Sequence, residues 1–189
     1  MRVLGFAQAR ALQAGARLGH TAGMSGPLSG LRVIELASIG PGPMCAMLLA
    51  DQGADVIRVD RVEPSGLGVA LDPRFDVTGR GRRSIALDLK QPGARAVLER
   101  LVSRADVFII NYPLPVRDKL RLHYADIRAL NPKLIYASLT PYGESGPEAG
   151  STGYDATAWW ARSGLMDSVR ASSDTPPGMS VPGMGDHMT

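Results

Sequence analysis

Three regions of this 189-residue sequence carry side chains whose types and spacing could do chemistry. The first is Ser38-Ile39-Gly40-Pro41-Gly42-Pro43, a turn that follows an apolar run and opens a helical one. Glycines let a ligand approach the backbone closely, and free N–H groups at a helix start bind anions. The two prolines remove donors and the spacing is not GxGxxG, so a dinucleotide fingerprint is absent and a plain tight turn is the simpler reading of these residues. The second is Asp60-Arg61 at the end of the next apolar run, together with Arg80, Arg82 and Arg83 beside a third. An acid there could hold a ribose hydroxyl and arginines could neutralise phosphates, while solvated ion pairs at a loop border account for the same residues. The third is Asp186 in Gly183-Met184-Gly185-Asp186. A carboxylate can serve as a nucleophile, but an aspartate in a glycine-rich tail, judged alone, is a turn or cap residue.

Other chemistries are excluded by spacing. His20, His123 and His187 are far apart and form no helical i, i+4 pair, so no metal site is expected. There is no G-x-S-x-G elbow and no P-loop. The single cysteine, Cys45, permits no internal disulfide, fits a reducing, cytoplasmic setting, and reads as a buried helix residue within Met44-Cys45-Ala46-Met47. Eighteen arginines stand against three lysines, which suits phosphate binding, although coding bias explains most of them. The net charge of +3 does not argue for nucleic acid, and apolar runs such as Met44 to Ala50 are too short to span a bilayer. With 44% hydrophobic and 21% charged residues, the chain reads as a soluble globular protein.

The elements that must position these residues alternate. Leu31 to Leu36 reads as a strand, Met44 to Gln52 as a helix stopped by Gly53, and Asp55 to Val59 as a second strand: a βαβ unit. Residues 62–82 read as a long surface loop. A strand over Ser84 to Leu89 follows, then a helix from Pro92 to Arg104 with Ala96, Val97, Leu98, Leu101 and Val102 on its apolar face. Strands over Asp106 to Ile110 and Leu134 to Leu139 flank a short helix from Tyr124 to Leu130. This alternation predicts a doubly wound α/β fold with a mostly parallel, Rossmann-like sheet. Beyond Thr140, Pro141 to Pro147 is a loop, Asp155 to Met166 a helix, and 172–189 an aperiodic loop, which suggests truncation before the fold is complete. Residues 1–23 hold Arg2, Arg10 and Arg17 but no acid, and read as an extension ahead of Met24, with organelle targeting as the alternative. The expected division is therefore 1–23, an α/β domain over 24–150, and an incomplete active-site segment over 151–189.

Several ordered motifs resemble class III coenzyme A-transferases, the family of formyl-CoA transferase, carnitine CoA-transferases and α-methylacyl-CoA racemase. The likeness starts with Gly26-Pro27-Leu28-Ser29-Gly30-Leu31-Arg32-Val33-Ile34-Glu35-Leu36 and Gly40-Pro41-Gly42-Pro43. It continues through Leu49 to Arg61, Arg83 to Lys90, Ala105 to Tyr112, Leu130 to Ser138 and Tyr142 to Pro147. The resemblance implies that Ile39, Gly40 and Pro41 line the CoA site and that Arg61 faces the nucleotide phosphates. It implies that Leu87 and Lys90 lie on the adenine side, Asn111 and Tyr112 along the pantetheine, and Lys119 near phosphate. CoA and acyl-CoA would then be substrates, with a small carboxylic acid as the second partner and a homodimer as the assembly. The chain departs from the family at Pro113-Leu114-Pro115, where Arg-Pro-Gly is usual, and at Pro141, where glycine is usual.

By the same resemblance Asp186 is the nucleophile, attacking an acyl-CoA thioester to give an anhydride and then an aspartyl-CoA. The racemase branch instead needs an acid and a base on opposite faces of the carbon next to the thioester. That branch uses a histidine in a Gly-His-Asp segment, and Gly153-Tyr154-Asp155 stands there. A phenol with a reference pKa of about 10 is a poor base at neutral pH. Tyr154 therefore favours the transferase reading. A racemase-like enzyme and an inactive CoA-binding fragment are the alternatives.

Overall fold

The computed structural model describes residues 26–36, 39–63 and 73–188. The 1–23 extension and the middle of the 62–82 loop lie outside them. The strands are β1 (Arg32–Leu36), β2 (Asp55–Asp60), β3 (Arg83–Ala86), β4 (Val107–Ile110) and β5 (Ile135–Ser138). All pair in parallel, in the order β3-β2-β1-β4-β5. The chain enters at the centre, winds to one edge, crosses back to β4 and finishes at the other edge. Connections leave β1 and β4 in opposite directions, so a crevice opens at the carboxyl ends of these two strands, where open α/β sheets bind ligands.

Both faces of the central strands are covered. Ile34, Leu36, Val59, Phe108 and Ile110 pack with Leu98 and Val102 on one side, and Val33, Val56 and Ile109 pack with Ala46 on the other. Two-sided burial is why these strands read as continuous apolar runs rather than alternating ones.

Helix α1 (Pro41–Asp51) begins three residues before the expected Met44. Pro41 and Pro43 both fall in its first turn, where a missing N–H leaves no intrahelical bond unmade. Its buried residues are Gly42, Pro43, Ala46 and Met47, so Cys45 is exposed, contrary to the buried position expected of it. Its thiol is pushed up, first by desolvation and then by the charge of Glu35, so it is no activated nucleophile. Helix α2 (Pro92–Val102) buries Leu98 and Val102 as expected but leaves Ala96 exposed.

Helix α3 (Leu114–Leu120) was not foreseen. Pro113 and Pro115 look like breakers, yet Pro113 is the N-cap and Pro115 lies in the first turn. Helix α4 (Tyr124–Leu130) falls where expected. β3 stops short of Leu89 because Asp88 turns the chain, its Oδ1 accepting from the Lys90 N–H at 3.1 Å.

Two short 3₁₀ turns, Pro73–Phe75 and Val77–Gly79, give the end of the 62–82 loop fixed structure. The Asp76 carboxylate accepts from the Thr78 hydroxyl at 2.8 Å and the Gly79 N–H at 3.0 Å. The helix expected from Asp155 to Met166 is instead a π-helical segment (Asp155–Ala161) and a separate α5 (Leu165–Ser168), divided at Gly164 with φ 83°. The tail holds a five-residue helix α6 (Met184–Met188) where only loop was expected. No helix among the described residues is long and apolar enough to cross a membrane.

Candidate active site

The crevice is built from the turns after β1, β2 and β4. Asn111, the first residue past β4, donates its side-chain N–H to the Ile39 carbonyl at 2.8 Å and so ties the β4 exit to the β1 exit. A Cβ on Gly42 would meet the Asn111 amide nitrogen at 3.6 Å, so α1 starts in close contact with that amide. Tyr112 follows, 4% exposed, with the Arg61 guanidinium 5.0 Å from its ring centroid. Arg61 leaves β2 and Tyr112 leaves β4, so this cation–π contact closes the floor of the crevice across β1.

The Asp186 carboxylate stands directly on the β1 turn. A Cβ at Gly40 would lie 2.9 Å from Asp186 Oδ2 and 3.1 Å from Cγ. Three contacts hold the helix that carries it. Asp155 Oδ2 accepts from the Gly183 N–H at 2.7 Å, at the entry to α6. Gly185 lies flat on Trp159, where any Cβ would come within 2.7 Å of the indole. Trp160 donates to the Gly178 carbonyl at 2.8 Å and pins the incoming segment. The Asp186 carboxyl is pushed above its ordinary range, first by desolvation and then by the neighbouring Asp155 charge, with His187 pulling the other way.

The structure thus brings together Ile39, Gly40, Pro41, Arg61, Asn111, Tyr112 and Asp186. Leu87 sits beside them, its N–H donating to the Asp60 carbonyl at 2.9 Å next to Arg61. Lys90 is exposed just beyond the Asp88 turn, and Lys119 is exposed in the last turn of α3. Tyr154 is N-cap of the π-helical segment and is 57% exposed as a residue, and no hydrogen bond joins its hydroxyl to Asp186 among the described residues.

The basic patch beside β3 is committed elsewhere. Arg80 pairs with Asp51 at 2.6 Å, Arg83 with Asp55 at 2.6 Å, and Arg82 with Glu35, so none of the three is a free pyrophosphate ligand. Asp60 likewise accepts from Arg58 at 3.0 Å.

Three residues of consequence escaped sequence reasoning. Asp155 was visible only as the neighbour of Tyr154. Glu35 is fully buried inside an apolar strand, and a charge at such a position was the available signal. Arg117, also fully buried, looks in the sequence like any surface residue of Arg117-Asp118-Lys119.

The CoA-transferase family III model matches residues 28–189. The chain is 43% identical to the human α-methylacyl-CoA racemase over 151 residues, covering 79% of this chain and 37% of that protein. It is 45% identical to the succinate–glutarate CoA-transferase of Agrobacterium fabrum over 143 residues, covering 68% of this chain and 36% of that protein. A solved CaiB/BaiF family protein from Brucella suis superposes with a TM-score of 0.73 at 34% identity, over 87% of this chain and 48% of that one. A Mycobacterium tuberculosis protein superposes with a TM-score of 0.75 at 30% identity, over 85% of this chain and 46% of that one. The chain therefore spans less than half the length of these relatives. With a parallel sheet, a crevice at its switch point and a family match over nearly all the described residues, the chain belongs to CoA-transferase family III.

Proposed function

We propose that this chain supplies the CoA-binding floor and the nucleophile of an enzyme that moves CoA from an acyl-CoA to a small carboxylic acid. The observation that carries the reading is the Asp186 carboxylate standing against Gly40, at the carboxyl end of β1, where open α/β sheets bind ligands. In the proposed cycle an Asp186 oxygen attacks the thioester carbonyl carbon, the C–S bond breaks, and CoA leaves as thiolate. The thiolate attacks the aspartyl carbonyl of the resulting anhydride, releasing the donor acid as its carboxylate and leaving an aspartyl-CoA thioester. The acceptor carboxylate attacks that thioester, and the expelled thiolate then attacks the acceptor's acyl carbon, freeing Asp186. An acyl carboxylate stays activated at every stage, which is why this nucleophile suits an exchange between thioester and acid.

Arg61 is suited to the nucleotide phosphates, since it is exposed and held over the Tyr112 ring. Lys90 and Lys119 would add charge at the rim, and Leu87 would border the adenine. Tyr154 borders the site through its neighbour Asp155. A second copy of the chain as partner rests on the family resemblance.

Asp186→Asn is expected to abolish transfer, with loss of the CoA adduct on the Asp186 peptide after incubation with acyl-CoA, read by mass spectrometry. Transfer at the parent rate would overturn the assignment. The same variant carries a stability signature. A carboxyl with a raised native pKa stabilises the fold only below its ordinary range and loses that contribution as pH rises through the native value. Asp186→Asn is therefore expected to melt no lower than the parent at neutral pH, with its relative gain fading in acid, as thermal melts across pH would record.

The identity to the human racemase gives a second reading specific content. Uptake of deuterium at the α-carbon of an α-methylacyl-CoA in heavy water would replace the transferase reading. The exposed phenol of Tyr154 argues for no uptake.

A further inference from the structure

Arg117 is the largest fully buried side chain of the described residues, and its guanidinium is spent on acceptors from three segments: the exit of β4, β5 with its exit, and the 141–147 loop. Nε donates to the Tyr112 carbonyl at 2.6 Å. Nη1 donates to the Ser138 hydroxyl at 2.6 Å, to Glu144 Oε1 at 2.7 Å and, more weakly, to the Tyr136 hydroxyl at 3.4 Å. Nη2 donates to the Leu139 carbonyl at 3.2 Å. The Ser138 hydroxyl also hydrogen-bonds Glu144 Oε1. A buried cation is tolerable only with acceptors and a counter-charge in place, and among the described residues the sole carboxylate on Arg117 is Glu144. Glu144 comes from the 141–147 loop and its side chain is 46% exposed. One end of this network is thus a surface loop, and the other is the backbone of the residue whose ring carries Arg61.

We infer that Arg117 and Glu144 form a latch: seating the 141–147 loop fixes Tyr112, and through Tyr112 the Arg61 guanidinium, in the pose that receives the nucleotide end of CoA. Both are positioning residues, since the guanidinium is fully buried and the carboxylate is bound to it. The latch rests on the CoA reading given above. It predicts an effect on the part of the ligand that Arg61 meets and none on the thioester chemistry.

The test compares CoA with pantetheine, which lacks the nucleotide phosphates, by calorimetry on the full chain. Glu144→Ala is expected to weaken CoA binding about tenfold, the scale of one lost charge interaction, while leaving pantetheine within about twofold. Glu144→Gln, which keeps the acceptor oxygen but not the counter-charge, is expected to recover only part of the loss. Arg61→Met and Glu144→Ala together should weaken CoA binding no more than Arg61→Met alone, because both act through one guanidinium. Equal losses for CoA and pantetheine, or additive effects with Arg61→Met, would show a merely structural pair and overturn the latch. A parent chain that binds pantetheine but gains nothing from the nucleotide would overturn the latch as well. A parent that binds neither ligand would bring down the CoA reading first, and the latch with it.

Discussion

Arg82→Met is expected to destabilise the protein by about 3–5 kcal/mol, the cost of removing one partner from a buried ion pair. Glu35 is fully buried and the Arg82 side chain is 2% exposed, on the face of β1 that α1 covers. The pair meets at one Arg82 nitrogen and one Glu35 oxygen, while Glu35 Oε1 and Arg82 Nε and Nη2 have no hydrogen-bond partner among the described residues. Burial pushes the Glu35 carboxyl above its ordinary range against the pull of Arg82. Without the arginine that rise grows and the carboxylate is left alone in a poorly solvated layer. A stability of about 5 kcal/mol, the low end of the range usual for a domain, would be largely consumed. The sign with pH follows from the raised value: the penalty is smallest below the ordinary glutamate range of about 4.3 and grows as pH rises from there through the native value. Urea melts at several pH values would record this. Combining Glu35→Leu with Arg82→Met is expected to recover most of the loss, since an apolar pair needs no solvation. A single variant melting within 1 kcal/mol of the parent, about an exposed pair's worth, would place the pair in solvent instead.

The central sheet was legible because its strands are apolar on both faces, and α4 was legible from Tyr124 to Leu130 because its periodicity and its stop before Pro132 agree. What escaped notice was decided by tertiary context. Pro113 and Pro115 signal an interruption locally, yet they begin α3, and only the packing of Val116 and Leu120 against the core shows the helix continuing past them. Arg82 and Arg83 are adjacent and chemically identical, but one is buried on Glu35 and the other lies at the surface on Asp55. No spacing rule separates them, because their partners lie 47 and 28 residues away. The site divides along the same line. The glycines of the β1 turn could be read as close-approach positions, but that Asp186 is the group approaching Gly40 is a long-range fact of the fold. The five-residue helix carrying Asp186 contains a glycine and forms only because Trp159 and Asp155 receive it.

Gly40→Ala is expected to cut CoA transfer about a hundredfold or more while leaving the protein folded. Gly40 has φ 87° and ψ −139°, close to a region that only glycine occupies freely, and forcing alanine there costs about 1–3 kcal/mol. That strain alone would lower the melting temperature without reaching the chemistry. The second effect is steric: the added Cβ falls 2.9 Å from Asp186 Oδ2 and 3.3 Å from Oδ1, so the carboxylate must move. Displacing a reacting group by about 1 Å can cost a hundredfold in rate, because the attack trajectory and not the pocket is lost. Gly30→Ala separates the two effects. Gly30, in the turn before β1, has φ 93° but no atom among the described residues within 4 Å of its would-be Cβ, so the change strains the backbone without pushing on a neighbour. The two variants are expected to melt at similarly reduced temperatures, with transfer collapsing in Gly40→Ala and falling only a few-fold in Gly30→Ala. Equal losses of rate in both would mean that backbone strain, and not the placement of Asp186 against the β1 turn, controls the activity.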